Sequence, residues 1–225
     1  MSTGVIGDGD GDGDAGVRLS VAAAGAGAED DVPYGEAGGP DFPAASVVKV
    51  AILAALLRRG PAPDARQRAW ARAMILRSDN DAATALWRVL GGAGALDEAC
   101  AGWGLTGTYA DPAWGLTRTT ARDQLTLLRT VFREPRYAYL RDLMGRVVPE
   151  QAWGVSAAAG PAGGRDRAAL KNGWMPMRAT GLWVVHSVGR VGGRFVAVLS
   201  DGHPSKEAGI ARVEAAARRA VRGLG

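Results

Sequence analysis

Phe42 to Gly60 reads FPAASVVKVAILAALLRRG. It is a short loop feeding a helix that is apolar around most of its circumference. Val50, Ile52, Leu53, Leu56 and Leu57 leave few positions for water, which is the pattern of a helix buried at the centre of a domain. Two polar side chains at its entrance need a reason. Ser46 and Lys49 are three residues apart, so they occupy neighbouring positions of one helical face, where hydroxyl and amine can meet. First-turn amides and the positive end of the helix dipole also point towards Ser46. A lysine desolvated there has a lowered pKa and can act as a base. This is the arrangement of an activated serine nucleophile. The plainer alternative is that Ser46 only caps the helix and Lys49 only snorkels to solvent. Composition favours chemistry. Of 27 basic residues only Lys49, Lys171 and Lys206 are lysines. A chain that otherwise uses arginine keeps lysine at a buried position, and lysine, unlike arginine, gives up its proton.

Working outward, 225 residues suffice for one large domain or two lobes with a buried core. An apolar fraction of 47% with 22% charged residues is that of a soluble globular chain. The net charge of +4 comes from scattered arginines, so no nucleic-acid face is indicated. Cys100 is the only cysteine, which excludes an internal disulfide and a thiolate zinc cluster. With His186 and His203 as the only histidines, a His-rich metal site is excluded too, and no cofactor is expected. The first fifteen residues are acidic and glycine-rich and do not form a signal peptide. The apolar run Val47 to Leu57 is too short to span a bilayer and contains Lys49. If Met1 is the native start, a cytoplasmic location is expected; a longer native chain leaves secretion open.

Residues 1–15 contain GDGDGDGDA, which resembles a calcium loop but has Leu19 where the bidentate acid belongs, so a disordered acidic tail is expected. Gly16 to Ala23 alternates as a first strand, and Val32 to Gly35 fits a short second one. Gly60, Pro61 and Pro63 end the central helix. Helices are predicted over Asp64–Arg77, Asp81–Leu90, Gly94–Gly102, Thr120–Phe132 with Asp123 as a capping-box-like partner, and Pro135–Met144. Leu105 to Leu116 reads as a loop. Three strands follow at Arg167–Gly173, Leu182–Val191 and Arg194–Ser200, the last two joined by the hairpin signal Gly192-Gly193. Ser205 to Leu224 is a final helix with Ile210, Val213, Ala217 and Val221 as its apolar stripe. If the first strand joins the later three, the fold is α+β. Its antiparallel sheet is formed by both chain ends, residues 16–45 and 155–225, with a helical lobe, residues 46–154, inserted between them.

Three short motifs then form one ordered set: Ser46-Val47-Val48-Lys49 on the central helix, Ser78-Asp79-Asn80 between two helices, and Lys171-Asn172-Gly173 on a strand. Together they resemble the S-x-x-K, S-D-N and K-T-G motifs of the class A serine β-lactamases and penicillin-binding enzymes. The resemblance covers about Gly16 to Gly223 and implies a β-lactamase/transpeptidase-like fold and a serine acyl hydrolase or transferase acting on amide bonds. Carried over residue by residue, Ser46 resembles the acylated nucleophile and Lys49 its proton acceptor. Ser78 resembles the donor to the leaving nitrogen, with Lys171 keeping that proton mobile, and Asn80 the carboxamide that holds the substrate's side-chain amide and the Lys49 amine. The backbone N–H groups of Ser46 and Trp174 would form the oxyanion hole. The expected partner is a small-molecule or peptide amide, β-lactam or peptidoglycan-like.

This chain departs from the family pattern in three places. Only 32 residues separate Ser46 from Ser78, so the helical lobe is reduced. The hydroxyl of K-T-G is replaced by the Asn172 carboxamide, and Gly173 is followed by Trp174, so substrate recognition should differ. No glutamate lies between Leu105 and Arg133 to drive water onto an acyl-enzyme, leaving Asp111 as the candidate substitute. Acylation with slow deacylation is therefore expected. The alternatives are a non-hydrolysing protein that binds penicillin or peptidoglycan fragments, and an intracellular biosynthetic amidase or acyltransferase. Trp114 and Trp174 are expected to line the cleft.

Overall fold

A computed structural model describes residues 16–25, 41–159 and 168–224. Four strands form one antiparallel sheet in the order β1-β6-β5-β4: β1 Arg18–Gly25, β4 Ala169–Pro176, β5 Trp183–Val191 and β6 Arg194–His203. The first strand thus joins the later three, with Val21 opposite Val198. Gly192 and Gly193 both have positive φ, 54° and 72°, as a two-residue hairpin turn between β5 and β6 requires. The predicted strand at Val32–Gly35 and the acidic stretch at 1–15 lie outside the described residues.

Strand alternation splits the core in two. Val196 and Val198 of β6 face the C-terminal helix α7 (Lys206–Arg222) and bury against Val213, Ala216 and Ala217. Phe195, Ala197 and Leu199 face the opposite way, into a larger core with α1 (Val48–Arg59) and α5 (Ala121–Arg133). Helix α1 is buried continuously from Val48 to Ala55, as its apolar circumference requires. Around it lie α2 (Ala65–Leu76), α3 (Asn80–Leu90), α4 (Gly92–Gly102) and α6 (Ala138–Met144). Among the described residues no helix is long and apolar enough to cross a membrane.

Two local details differ from expectation. Pro135 to Tyr137 forms a separate 3-10 turn before α6, with proline at its start. At α5 the Thr120 hydroxyl accepts from the Asp123 amide at 3.1 Å, but the Asp123 carboxylate does not return the bond. It accepts instead from Gly107 N at 2.8 Å and Thr108 Oγ1 at 2.7 Å, so it pins the loop 105–119. That loop is also tied to the entrance of α1. The two-residue strands β2 (Phe42–Pro43) and β3 (Arg118–Thr119) pair, Arg118 grips both carboxylate oxygens of Asp41 at 2.8 Å, and Ala44 N donates to Thr117 O at 2.7 Å.

Candidate active site

The entrance to α1 is not a plain helical start. Ala45 to Val47 forms a 3-10 turn, and Ala45 has φ 45°, a conformation that costs an L-residue about 1–2 kcal/mol. Ser46 follows it, half-buried, and neither this turn nor α1 has a side-chain cap. Capping therefore does not account for Ser46. Nor does Lys49 snorkel, since it is 0% exposed.

Lys49 Nζ does not hydrogen-bond the Ser46 hydroxyl, in contrast to the expectation from their spacing. It donates to Ser78 O at 2.6 Å, Asn80 Oδ1 at 2.7 Å and Ser78 Oγ at 3.2 Å. The amine is taken up instead by three acceptors of one neighbouring segment. The acceptors are presented by the junction of α2 and α3. Ser78 adopts φ 59°, another left-handed non-glycine residue, and Asp79 caps α3 by accepting from Ala82 N at 2.7 Å. Burial lowers the Lys49 pKa to about 7, with the Asp79 charge acting in the opposite sense.

Lys171 enters from β4 and is 1% exposed. Its Nζ donates to Ser78 Oγ at 2.9 Å and to Asn172 O at 2.7 Å. Burial, helped by the charge of Lys49, holds its pKa well below the ordinary lysine value. The Ser78 hydroxyl thus lies between two lysines whose charged forms are both disfavoured. Gly173 comes against the start of α1: a Cβ there would lie 2.8 Å from Ser46 N and 2.9 Å from Val47 N. Only glycine lets the strand approach so closely.

The two other residues of this strand segment face away, as a period of two demands. Asn172, 1% exposed, donates through Nδ2 to Gln151 O at 2.8 Å and Trp153 O at 3.1 Å. The Trp174 ring stacks on Trp153 with centroids 5.8 Å apart, and Lys206 Nζ lies 4.2 Å above it. The motif places both side chains in the cleft; in the structure they sit on the α7 side of the sheet, and only their backbone borders the site. Trp114, by contrast, is beside Lys49, with Nζ 5.0 Å from its ring centroid. Asp111 is turned into its own loop, where Oδ1 accepts from Ala113 N at 2.7 Å. Among the described residues no carboxylate is hydrogen-bonded to Ser46 or Lys49.

His186, to which the sequence motifs give no role, lies behind this arrangement. It faces Gly173 directly across the β4–β5 ladder, a relation visible only once the register of that hairpin is known.

An α+β sheet-and-helix molecule whose three motif segments meet at the Ser78 hydroxyl, with Gly173 against the Ser46 backbone, defines a β-lactamase/transpeptidase-like class of protein. The chain belongs to the β-lactamase enzyme family, whose model matches residues 64–220, and so to β-lactamase-like hydrolases acting on amide bonds. Its fold is similar to that of a β-lactamase from Burkholderia phymatum, at 21% identity over 94% of each chain and a TM-score of 0.74. A class A β-lactamase from Mycobacterium abscessus gives 23% identity, a TM-score of 0.72, and coverage of 92% of this chain and 94% of that one. A point mutant of PBP-A, solved as an acyl-enzyme complex with penicillin G, gives 20% identity, a TM-score of 0.71, and coverage of 93% of this chain and 92% of that one. No curated protein matches the chain by sequence.

Proposed function

We propose that the protein is a serine acyl hydrolase or acyltransferase that opens a β-lactam or a related amide by acylating Ser46, and that it releases the acyl group slowly. The observation that carries this is the continuous contact Lys49–Ser78–Lys171 beside Ser46. A neutral amine has two hydrogens and one lone pair. In the neutral form Ser78 O and Asn80 Oδ1 take the two hydrogens of Lys49, at 2.6 and 2.7 Å, and the contact with Ser78 Oγ at 3.2 Å is then one in which the lone pair accepts from the hydroxyl, so Ser78 can relay a proton to it. With its pKa near 7, a useful fraction of Lys49 is neutral at physiological pH.

In this mechanism Ser46 Oγ bonds to the amide carbonyl carbon while its proton passes to Lys49. The backbone N–H groups of Ser46 and Trp174 hold the oxyanion. As the C–N bond breaks, the Ser78 hydroxyl gives its proton to the leaving nitrogen, and the lysines beside it replace that proton. The products are an ester on Ser46 and a freed amine. Asn80, the most exposed of these groups, is positioned to meet the substrate's own amide. Slow release is supported by the other side of Lys49. The Trp114 indole covers it there, and the two candidate acids are engaged elsewhere, Asp111 with Ala113 N and Asp79 with Ala82 N.

The test is intact-protein mass spectrometry during incubation with a penicillin, on the native chain and on Ser46→Ala. A lasting adduct on the native chain alone is expected. Rapid antibiotic consumption with only a transient adduct would remove slow deacylation from the mechanism. Labelling that survives Ser46→Ala would overturn the nucleophile.

A further inference from the structure

His186 is 0% exposed and lies on β5 opposite Gly173, so its side chain emerges on the cleft side of the sheet. Gly173 has no side chain to fill the space in front of it, and the imidazole extends under the segment that leads into Ser46. There its Nε2 is 2.9 Å from the carbonyl oxygen of Pro43. The tautomer follows from the other nitrogen. Ser200 N donates to Nδ1 at 3.0 Å, so Nδ1 is the acceptor and Nε2–H the donor to Pro43. Ser200 is itself held, since its hydroxyl donates to Val185 O at 2.7 Å and receives His203 Nε2–H at 2.9 Å. The Phe42 ring meets the imidazole edge-on at 5.8 Å, and the Arg18 guanidinium covers Phe42 at 4.9 Å. The ring is therefore fixed on every side and has one bond to give.

That bond goes to a segment that needs holding. Between Pro43 and Ser46 the chain passes through Ala45 at φ 45°, and a left-handed alanine persists only where its surroundings enforce it. Ala44 N, donating to Thr117 O at 2.7 Å, ties the segment to the loop that carries Trp114. His186 ties it to the sheet that carries Lys171 and Gly173. We propose that His186 is a positioning residue of this site, holding the Pro43–Ser46 segment so that the Ser46 hydroxyl and amide stay in register with the edge of β4. The inference rests on Ser46 being the nucleophile, and it does not require the substrate to be a lactam.

Two near-isosteric variants separate the ring's two bonds. In His186→Asn the side-chain oxygen takes the place of Nδ1 and keeps Ser200, while nothing reaches Pro43. In His186→Gln the amide nitrogen takes the place of Nε2 and reaches Pro43. Both are compared with the native chain by the rate of Ser46 labelling, using a fluorescent penicillin and, separately, a fluorophosphonate. Hydrogen exchange of the peptides covering residues 42–49 and β6 is read alongside. His186→Asn should label at least about tenfold more slowly, because misplacing a reacting group by a fraction of an ångström costs that much or more. Exchange over 42–49 should rise in that variant while β6 stays protected. His186→Gln should restore both readouts to within about threefold of native. Native labelling and native protection in His186→Asn, or equal damage in the two variants, would overturn the proposal. If the native chain takes the fluorophosphonate but no penicillin, the lactam substrate fails, while the exchange and fluorophosphonate comparisons still decide the role of His186.

Discussion

Lys171 and Gly173 point to one side of β4, Asn172 and Trp174 to the other, and the two sides are finished differently. On the α7 side the polar and aromatic groups are used in packing. Both hydrogens of the Asn172 amide go to main-chain carbonyls, and Trp174 lies between Trp153 and Lys206. On the cleft side two buried lysines share one hydroxyl with no carboxylate bonded to either amine among the described residues, and two non-glycine residues, Ala45 and Ser78, take left-handed conformations. A protein under selection for stability alone has no use for such a face. Adjacent residues of one motif therefore have opposite settings: one side of the strand carries the candidate site and the other packs the strand in place.

The largest effect that tests this division is expected at Lys49. Lys49→Met keeps the buried volume and removes the base, so the rate of Ser46 labelling should fall by about a thousandfold. The native rate should climb with pH and level off above an inflection near 7, because only the neutral amine accepts the proton. The two lysines touch the same hydroxyl, so that inflection belongs to the pair. A pH-independent native rate would make Lys49 structural and the two faces equivalent. Next comes Gly173→Ala. Its methyl would meet backbone nitrogens at 2.8 and 2.9 Å, which no rotamer change relieves. Strand and the Ser46 segment must separate, and labelling should drop by about a hundredfold. A native rate in that variant would mean the close approach has no bearing on reactivity.

Much of this architecture is legible in the sequence because it depends on local patterns. The apolar circumference of α1, the Gly60-Pro61 stop after it and the double glycine of the last hairpin each act within a few residues. What stays hidden depends on relations across elements. The motif Lys171-Asn172-Gly173 reads as a row of groups facing one substrate, whereas strand alternation sends the middle residue behind the sheet. Helical spacing pairs Ser46 with Lys49, but the groups that take the Lys49 amine, Ser78 and Asn80, come from a segment that only the packing of α2 and α3 brings there. Nothing local marks His186, because its partners, Pro43 and Ser200, are set by strand register and by a loop more than a hundred residues earlier in the chain.

Acid stability probes the cleft side without any substrate. Burial lowers the His186 pKa from 6.5 to about 4. Above pH 6.5 the ring is neutral folded or unfolded and pH has no effect through it. As pH falls from 6.5 towards 4, the unfolded chain binds a proton that the folded ring does not. Stability should then fall by up to about 3 kcal/mol. His203, also lowered by burial, adds to the loss in the same direction, and Asp201 acts against it at both rings. Urea unfolding of the native chain and of His186→Gln, measured across that window, isolates the His186 share as the difference. Parallel curves would show that His186 takes up a proton as readily in the folded state as in the unfolded chain, so that Nδ1 would not accept from Ser200 N as described.

On the other side of the strand, Asn172→Thr replaces a buried amide that serves two carbonyls with a hydroxyl that can serve one. It should cost about 1–3 kcal/mol in urea unfolding. Labelling of the folded protein should stay within about threefold of native, since the side chain does not face Ser46. A large change in labelling at native stability would place Asn172 in the cleft after all.

The smallest effect is expected at Lys206, whose ammonium rests 4.2 Å above the Trp174 ring at the start of α7. The contact is partly exposed, so Lys206→Ala should lose only about 0.5–1 kcal/mol of stability. Its kinetic consequence is the sharper measurement. Trp174 contributes backbone to the proposed oxyanion hole and a side chain to the opposite face, so it is the residue through which the two sides would communicate. If its position is set by the β-ladder, with Val185 opposite, then removing the cation above the ring should leave the labelling rate unchanged. If labelling falls in step with the lost contact, the packing behind the strand tunes the oxyanion donors, and the division of labour across β4 holds for side chains but not for the backbone between them.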